Sequence, residues 1–182
     1  MEFFRKGLEE SITLPEPPVV DQDEVEEVKV IVAARTMNDV RSVMNHDKVP
    51  FYAIRTYCQE HGLMFHDNEF EDIVDQSVPI IMHFKNKFDR RRPFVVDMNL
   101  NILPSSTNDT PSYPSGHSTQ SRLIARYVAG KFPEHEAELI KKGNECGYGR
   151  VQAGFHYPSD NEIGNLLGEK LYFMMNKANY EQ

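Results

Sequence analysis

The stretch Asn68-Glu69-Phe70-Glu71-Asp72-Ile73-Val74-Asp75-Gln76-Ser77-Val78-Pro79-Ile80-Ile81-Met82-His83-Phe84-Lys85 decides the fold class. Phe70, Ile73, Val74, Val78, Ile81, Met82 and Lys85 recur at intervals of three and four, the period of a helix face. Asp67 or Asn68 opens this helix. Pro79 cannot donate a backbone hydrogen bond and crowds the preceding turn, so it is expected to kink the helix or divide it in two. Upstream, Val25, Val28, Val30, Ile31 and Ala34 form an apolar face behind Asp23 as a cap. Val40, Val43 and Met44 mark a second helix that could continue the first past Thr36. Pro50 suits a first helical turn, with Phe51, Ile54, Tyr57 and Cys58 behind it and Gly62 as the stop. Downstream, helical pattern runs from Ser118 to Lys131 and from Pro133 to about Gly149. A last helix starts at Pro158, with Ile163, Leu166, Leu167, Leu171 and Met174 on one side. No convincing strand pattern appears. The expectation is an all-α, single-domain helical bundle of about six or seven helices.

Two segments depart from this pattern. Residues 1–21, with Pro15-Glu16-Pro17-Pro18, read as an extended arm rather than a packed element, which leaves 22–182 as the helical domain. From Val95 to Tyr113 there is no periodicity, only Pro104, Pro111 and a Ser/Thr/Asn/Asp cluster. A loop of that length in a compact domain is usually functional or disordered.

Length and charge narrow the function classes. A chain of 182 residues holds one domain with a substantial core but not two ordinary ones. Its 20 Lys and Arg against 28 Asp and Glu give −8, which argues against a nucleic-acid partner. Cys58 and Cys146, 88 positions apart, form neither a disulfide framework nor a metal knuckle and read as half-buried thiols. No apolar run reaches the roughly 18 residues of a membrane-spanning helix, so no integral membrane segment is expected. The start, Met1-Glu2-Phe3-Phe4-Arg5-Lys6 and then Glu9-Glu10, lacks the apolar stretch of a secretory signal. A cytoplasmic location is expected.

Three clusters carry chemistry. The first runs from Lys85 through Lys87, Arg90, Arg91 and Arg92 to Pro93, with Asp89 inside it. Five cations and one carboxylate make a local +4, which leaves −12 for the rest of a chain at −8. Such a spot suits a small anion, and arginine's planar fork matches phosphate oxygens; a solvated helix end would look the same. The second is Pro114-Ser115-Gly116-His117, followed by a helix. Gly116 permits close backbone approach, helix-start amides and the Ser115 hydroxyl suit an anion, and His117 can exchange a proton. A turn with a capping serine and a surface histidine is the plainer alternative. The third is Arg150-x5-His156-x3-Asp160. Pro158 starts a helix, so Asp160 lies in its first turn, from which it can reach back to one imidazole nitrogen and leave the other to attack. It could equally be a helix cap.

Taken together, Lys85-x6-Arg92-Pro93, Pro114-Ser115-Gly116-His117 and Arg150-x5-His156-x3-Asp160 resemble the three-part signature of the type 2 phosphatidic acid phosphatase superfamily. The soluble branch that looks most similar is the bacterial class A non-specific acid phosphatases, relatives of the vanadium-dependent haloperoxidases. The resemblance implies a soluble, metal-independent phosphatase of phosphomonoesters that needs no cofactor. His156 would be the nucleophile that forms a phosphohistidine, Asp160 its orienting partner, and His117 the general acid and then base. Lys85, Arg92, Arg150, Ser115 and the Gly116 amide would hold the phosphoryl oxygens. A vanadate-dependent haloperoxidase and a non-catalytic phosphate-binding module are the alternatives. The remaining histidines, His46, His61, His66, His83 and His135, lack ligand spacing and read as surface residues, so no metal site is expected. The expected partner is a small phosphorylated substrate, and superfamily precedent allows a homo-oligomer. The family often carries Ser before the third-motif arginine, where this chain has Gly149.

Overall fold

The computed structural model describes residues 2–19 and 22–175, and every regular element among them is helical. In order the α-helices are α1 (Gln22–Ala34), α2 (Met37–His46), α3 (Tyr52–Glu60), α4 (Asp67–Phe88), the single turn α5 (Pro93–Val96), α6 (Gly116–Lys131), α7 (Glu136–Gln152) and α8 (Pro158–Met174). The expected all-α bundle is thus present among the described residues, as seven longer helices and the one-turn α5, with short 3-10 turns at Leu8–Ser11 and Pro133–His135.

α6 is the central helix. Its Leu123, Ile124, Ala125, Tyr127 and Val128 are buried, and it packs against both α7 and α8, which also touch each other. The approach of α8 depends on a missing side chain: a Cβ at Gly164 would come within 2.6 Å of the Ser115 carbonyl oxygen. The two helix starts are tied there by Ser115 N donating to the Asp160 carbonyl at 3.0 Å. Two of the three sequence clusters therefore meet at one end of the bundle.

Several local expectations change. α1 and α2 are separate helices, because Thr36 caps α2: its hydroxyl accepts from Asp39 N at 3.2 Å and its amide donates to the Asp39 carboxylate at 2.6 Å. In α1 the buried face is Val25, Val28 and Val32, while Val30 is exposed. Pro50 lies just ahead of α3 rather than in its first turn. Pro79 does not divide α4, which runs unbroken from Asp67 to Phe88. Phe70 and Ile73 before the proline and Ile80, Ile81 and Phe84 after it are all buried in one core, and that packing holds both halves in one helix. In α8, Leu167 and Leu171 are fully buried, whereas Leu166 and Met174 are partly exposed.

The N-terminal residues correct the expectation of an unpacked arm. Phe3, Phe4, Leu8, Ile12 and Leu14 are all buried in the main core. Phe3 meets the edge of Tyr127 at 5.8 Å and its amide donates to Gln76 at 2.7 Å. Helical periodicity misses this packing because only Leu8–Ser11 forms a turn of 3-10 helix; the apolar side chains dock one by one. Val20, Asp21 and residues 176–182, which belonged to the expected arm and domain, lie outside the described residues. His46, expected at the surface, is also buried: its Nδ1 donates to Ser42 O at 2.8 Å and its Nε2 accepts from Ala53 N at 3.3 Å, joining α2 to α3. Both cysteines are buried rather than half-buried, and neither is in a disulfide.

Candidate active site

Lys85 stands in the last turn of α4, Arg92 caps α5, and Gly116 and His117 open α6. Arg150 closes α7, His156 precedes α8, and Asp160 is in the first turn of α8. Gly154, between Arg150 and His156, has φ of +82°, and a Cβ there would meet Ile102 at 2.9 Å. Glycine at this point lets the chain reverse under the long loop and deliver His156 inward. Lys85, Arg92, Thr110, Gly116, His117 and His156 line one cavity of about 260 Å³. Val74, Val78, Ile81 and Met82 of α4, together with Pro50, give it an apolar side.

The His156 ring is held at both nitrogens. Nδ1 lies 3.1 Å from Asp160 Oδ2, and Arg92 Nη1 donates to Nε2 at 3.2 Å. A guanidinium carries no acceptor, so Nε2 holds a lone pair and the ring proton sits on Nδ1, donated to Asp160. Burial first, and the Arg92 charge second, push the imidazole well below its ordinary value, against the pull of Asp160. Asp160 is itself completely buried. Burial would raise its carboxyl, but His156, Arg90 and Ser112 outweigh that and bring it down to about 2. Its Oδ2 also accepts from Tyr157 N at 2.9 Å and from the Ser112 hydroxyl, and its Oδ1 from Arg90 at 2.6 Å.

His117 is held differently. Its Nε2 donates to the backbone carbonyl of Asp47 at 3.0 Å. Burial and then the Arg150 charge lower it to about 3. Lys85 donates to the Pro111 carbonyl; burial first and the Arg92 charge second lower it to about 7. Arg92 donates to Thr110 O at 2.6 Å and Phe155 O at 3.0 Å, and burial brings it down to about 10. Lys48, Lys85 and Arg92 against the carboxylate of Asp47 give the lining a positive balance that suits an anion.

Two expected ligands stand behind the lining. The Ser115 hydroxyl accepts from Ser118 Oγ at 2.8 Å and Ser118 N at 3.4 Å, as the α6 cap. Arg150 is almost completely buried; it pairs with Asp47 at 2.8 Å and donates to Thr107 Oγ1 at 2.9 Å, while its Nε has no partner. Gly149 faces Val43 at an ordinary contact distance of 3.4 Å, on the α2 side of α7.

Sequence reasoning did not single out Asp47, Thr110 or Ser112, and it placed Arg90 in the first cationic cluster without a role of its own. Asp47 holds Arg150 through its carboxylate and His117 through its carbonyl, and it ties down the long loop by accepting from Ser105 and Thr107. Its only available signal was that a buried Arg150 needs a counter-charge. Among the described residues no three His, Cys, Asp or Glu side chains converge so that they could hold a metal ion. No helix there is long and apolar enough to cross a membrane.

A model of the PAP2 superfamily matches residues 76–180. A non-specific acid phosphatase of Salmonella typhi is 37% identical over 87 residues, 46% of this chain and 35% of that protein. An acid phosphatase of Zymomonas mobilis is 33% identical over 87 residues, 46% of this chain and 33% of that protein. The chain thus spans about a third of the length of the curated relatives it matches. In three dimensions it resembles the crystal structure of Aquifex aeolicus LpxE, with a TM-score of 0.62 over 82% of this chain and 92% of that one, at 21% identity. That likeness is one of fold.

Proposed function

The chain belongs to the PAP2 superfamily, and from that premise we propose that it hydrolyses phosphomonoesters through a phosphohistidine on His156, with side-chain cations in place of a metal ion. The observation that carries this reading is the His156 ring: Nδ1 committed to Asp160, Nε2 bearing a lone pair beside the Arg92 guanidinium. In-line attack by Nε2 on phosphorus displaces the alcohol. Asp160 then stabilises the charge that the ring acquires. Lys85, Arg92 and the Gly116 amide take the equatorial oxygens, and Arg150 adds its charge from behind Asp47. An arriving phosphate dianion brings negative charge beside both groups, so Lys85 becomes fully cationic and His117 can carry a proton. His117 gives that proton to the leaving alcohol and later takes one from the water that cleaves the phosphohistidine. The names of the Salmonella and Zymomonas relatives support the same activity.

The test is hydrolysis of an aryl phosphate by the purified chain. Turnover is expected to persist in chelator and to be blocked by vanadate at roughly micromolar to millimolar concentration, as for a transition-state mimic. Loss in chelator with recovery on adding a divalent metal would overturn the mechanism.

A further inference from the structure

Behind the orienting carboxylate a second layer of charge extends to α1. Arg90 donates through Nη1 to Asp160 Oδ1 at 2.6 Å and to Ser159 Oγ at 2.8 Å, and through Nη2 to Glu24. Ser159 donates to the same Glu24 carboxylate. The Arg90 side chain is 2% exposed, Asp160 0% and Glu24 14%, so the cation is screened from water more than its outer partner. The guanidinium also lies over the Tyr157 ring at 4.2 Å.

We propose that Arg90 and Glu24 are positioning residues for His156, completing with Asp160 a chain of alternating charge that orients the ring and balances its partner carboxylate. This assignment rests on the reading of His156 as nucleophile. Asp160 Oδ2 serves His156, Ser112 and the Tyr157 amide, which leaves Oδ1 to Arg90. A guanidinium there fixes the carboxylate plane, and with it the imidazole plane. Uncompensated, that cation would also offset the negative charge Asp160 offers the ring; Glu24 restores it. The other charges facing His156 are Arg92, Lys85 of α4 and, across the cavity, His117 of α6. Those facing Arg90 are Asp160 and Glu24, with Asp89 and Arg91 beside it in sequence.

Alternation makes a prediction of sign that a merely structural role does not. Arg90→Met removes a cation and raises the proton affinity of His156. Glu24→Gln removes an anion and lowers it. The experiment is histidine ¹⁵N NMR titration of the full chain, run beside pH profiles of kcat/KM on 4-nitrophenyl phosphate. In Arg90→Met the His156 midpoint is expected to rise by about one pH unit, the scale of a lost unit charge at an intermediate dielectric. In Glu24→Gln the neutral-ring signals persist to lower pH, and the double variant returns toward the parent. The acid limb of kcat/KM follows the same signs, and Arg90→Lys, which keeps the cation, leaves the midpoint closer to the parent than Arg90→Met does. Unmoved midpoints, or shifts of the same sign in both variants, overturn the proposal. If Arg90→Met does not fold, Glu24→Gln alone decides by its sign. Opposite NMR shifts without hydrolysis in any variant would uphold the positioning role and remove the phosphatase reading instead.

Discussion

The two histidines of the cavity are held in opposite ways. His156 has an ionised carboxylate on Nδ1, backed by Arg90 and Ser112. His117 has a neutral carbonyl on Nε2, supplied by Asp47. A carboxylate stabilises positive charge on the ring with a full counter-charge; a carbonyl orients the ring and favours its cation only through a weaker dipole. Both rings are pushed down by burial, but Asp160 opposes that push at His156 with a full charge, while at His117 the Asp47 carbonyl and the more distant Asp47 charge oppose it less directly. Under the proposed mechanism this difference fits His156 as the ring that is phosphorylated and His117 as the one that moves protons.

The largest expected effects would break this comparison directly. His156→Ala should abolish both turnover and the acid-labile phosphoprotein trapped by rapid quench. His117→Ala should cost about 10²–10⁴-fold with a poor alcohol leaving group and much less with nitrophenolate, while label still accumulates. Label on the His156→Ala protein, or equal losses at His117 for both leaving groups, would reverse the assigned roles.

The supporting carboxylates come next. Asp160→Asn should keep the fold and lower kcat by roughly 10²-fold or more, since the tautomer and charge of His156 are no longer held. Asp47→Ala leaves a backbone carbonyl for His117 but strips Arg150 of its ion pair, so it should act mainly by raising KM. A variant pair in which both substitutions shift only kcat would erase the contrast between a carboxylate that serves a ring and one that serves an arginine.

Acid stability is a smaller effect and sharpens what the two rings share. His117 at about 3, and His156 also depressed, bind protons less readily folded than unfolded, where histidine titrates near 6.5. The unfolded chain therefore takes up protons first as pH falls below about 6.5, and folding stability declines. Asp160, near 2, contributes stability that is present above about 4 and lost as pH falls toward 2. Tm should thus fall steadily on acidification, and saturating inorganic phosphate should restore part of it at pH 5 to 6. A Tm independent of pH from 7 to 4 would contradict burial of neutral imidazoles.

The smallest effect is expected at Gly149→Ser. The position is within α7 and faces Val43 at a distance that admits a Cβ, and serine is a better helix former by about half a kcal/mol. Activity should stay within about twofold, measured as kcat/KM.

Sequence alone determined the helical class, from apolar spacing over α4, α6 and α8, and it named the candidate site residues from three short motifs. Spacing is legible because it reflects backbone geometry within one element: a helix start at Pro158 puts Asp160 one turn from His156 whatever surrounds it. Pro79 shows the limit of that logic, since a local breaker yields to a core that both halves of α4 share. The packed Phe3 and Leu8, the capping role of Ser115, and the partners Asp47 and Glu24 were decided only by the tertiary structure. Asp47 lies 103 positions from Arg150, and Glu24 lies 66 from Arg90. No periodicity spans such distances: a buried charge must find a counter-charge, and which one it meets depends on which helices pack against it.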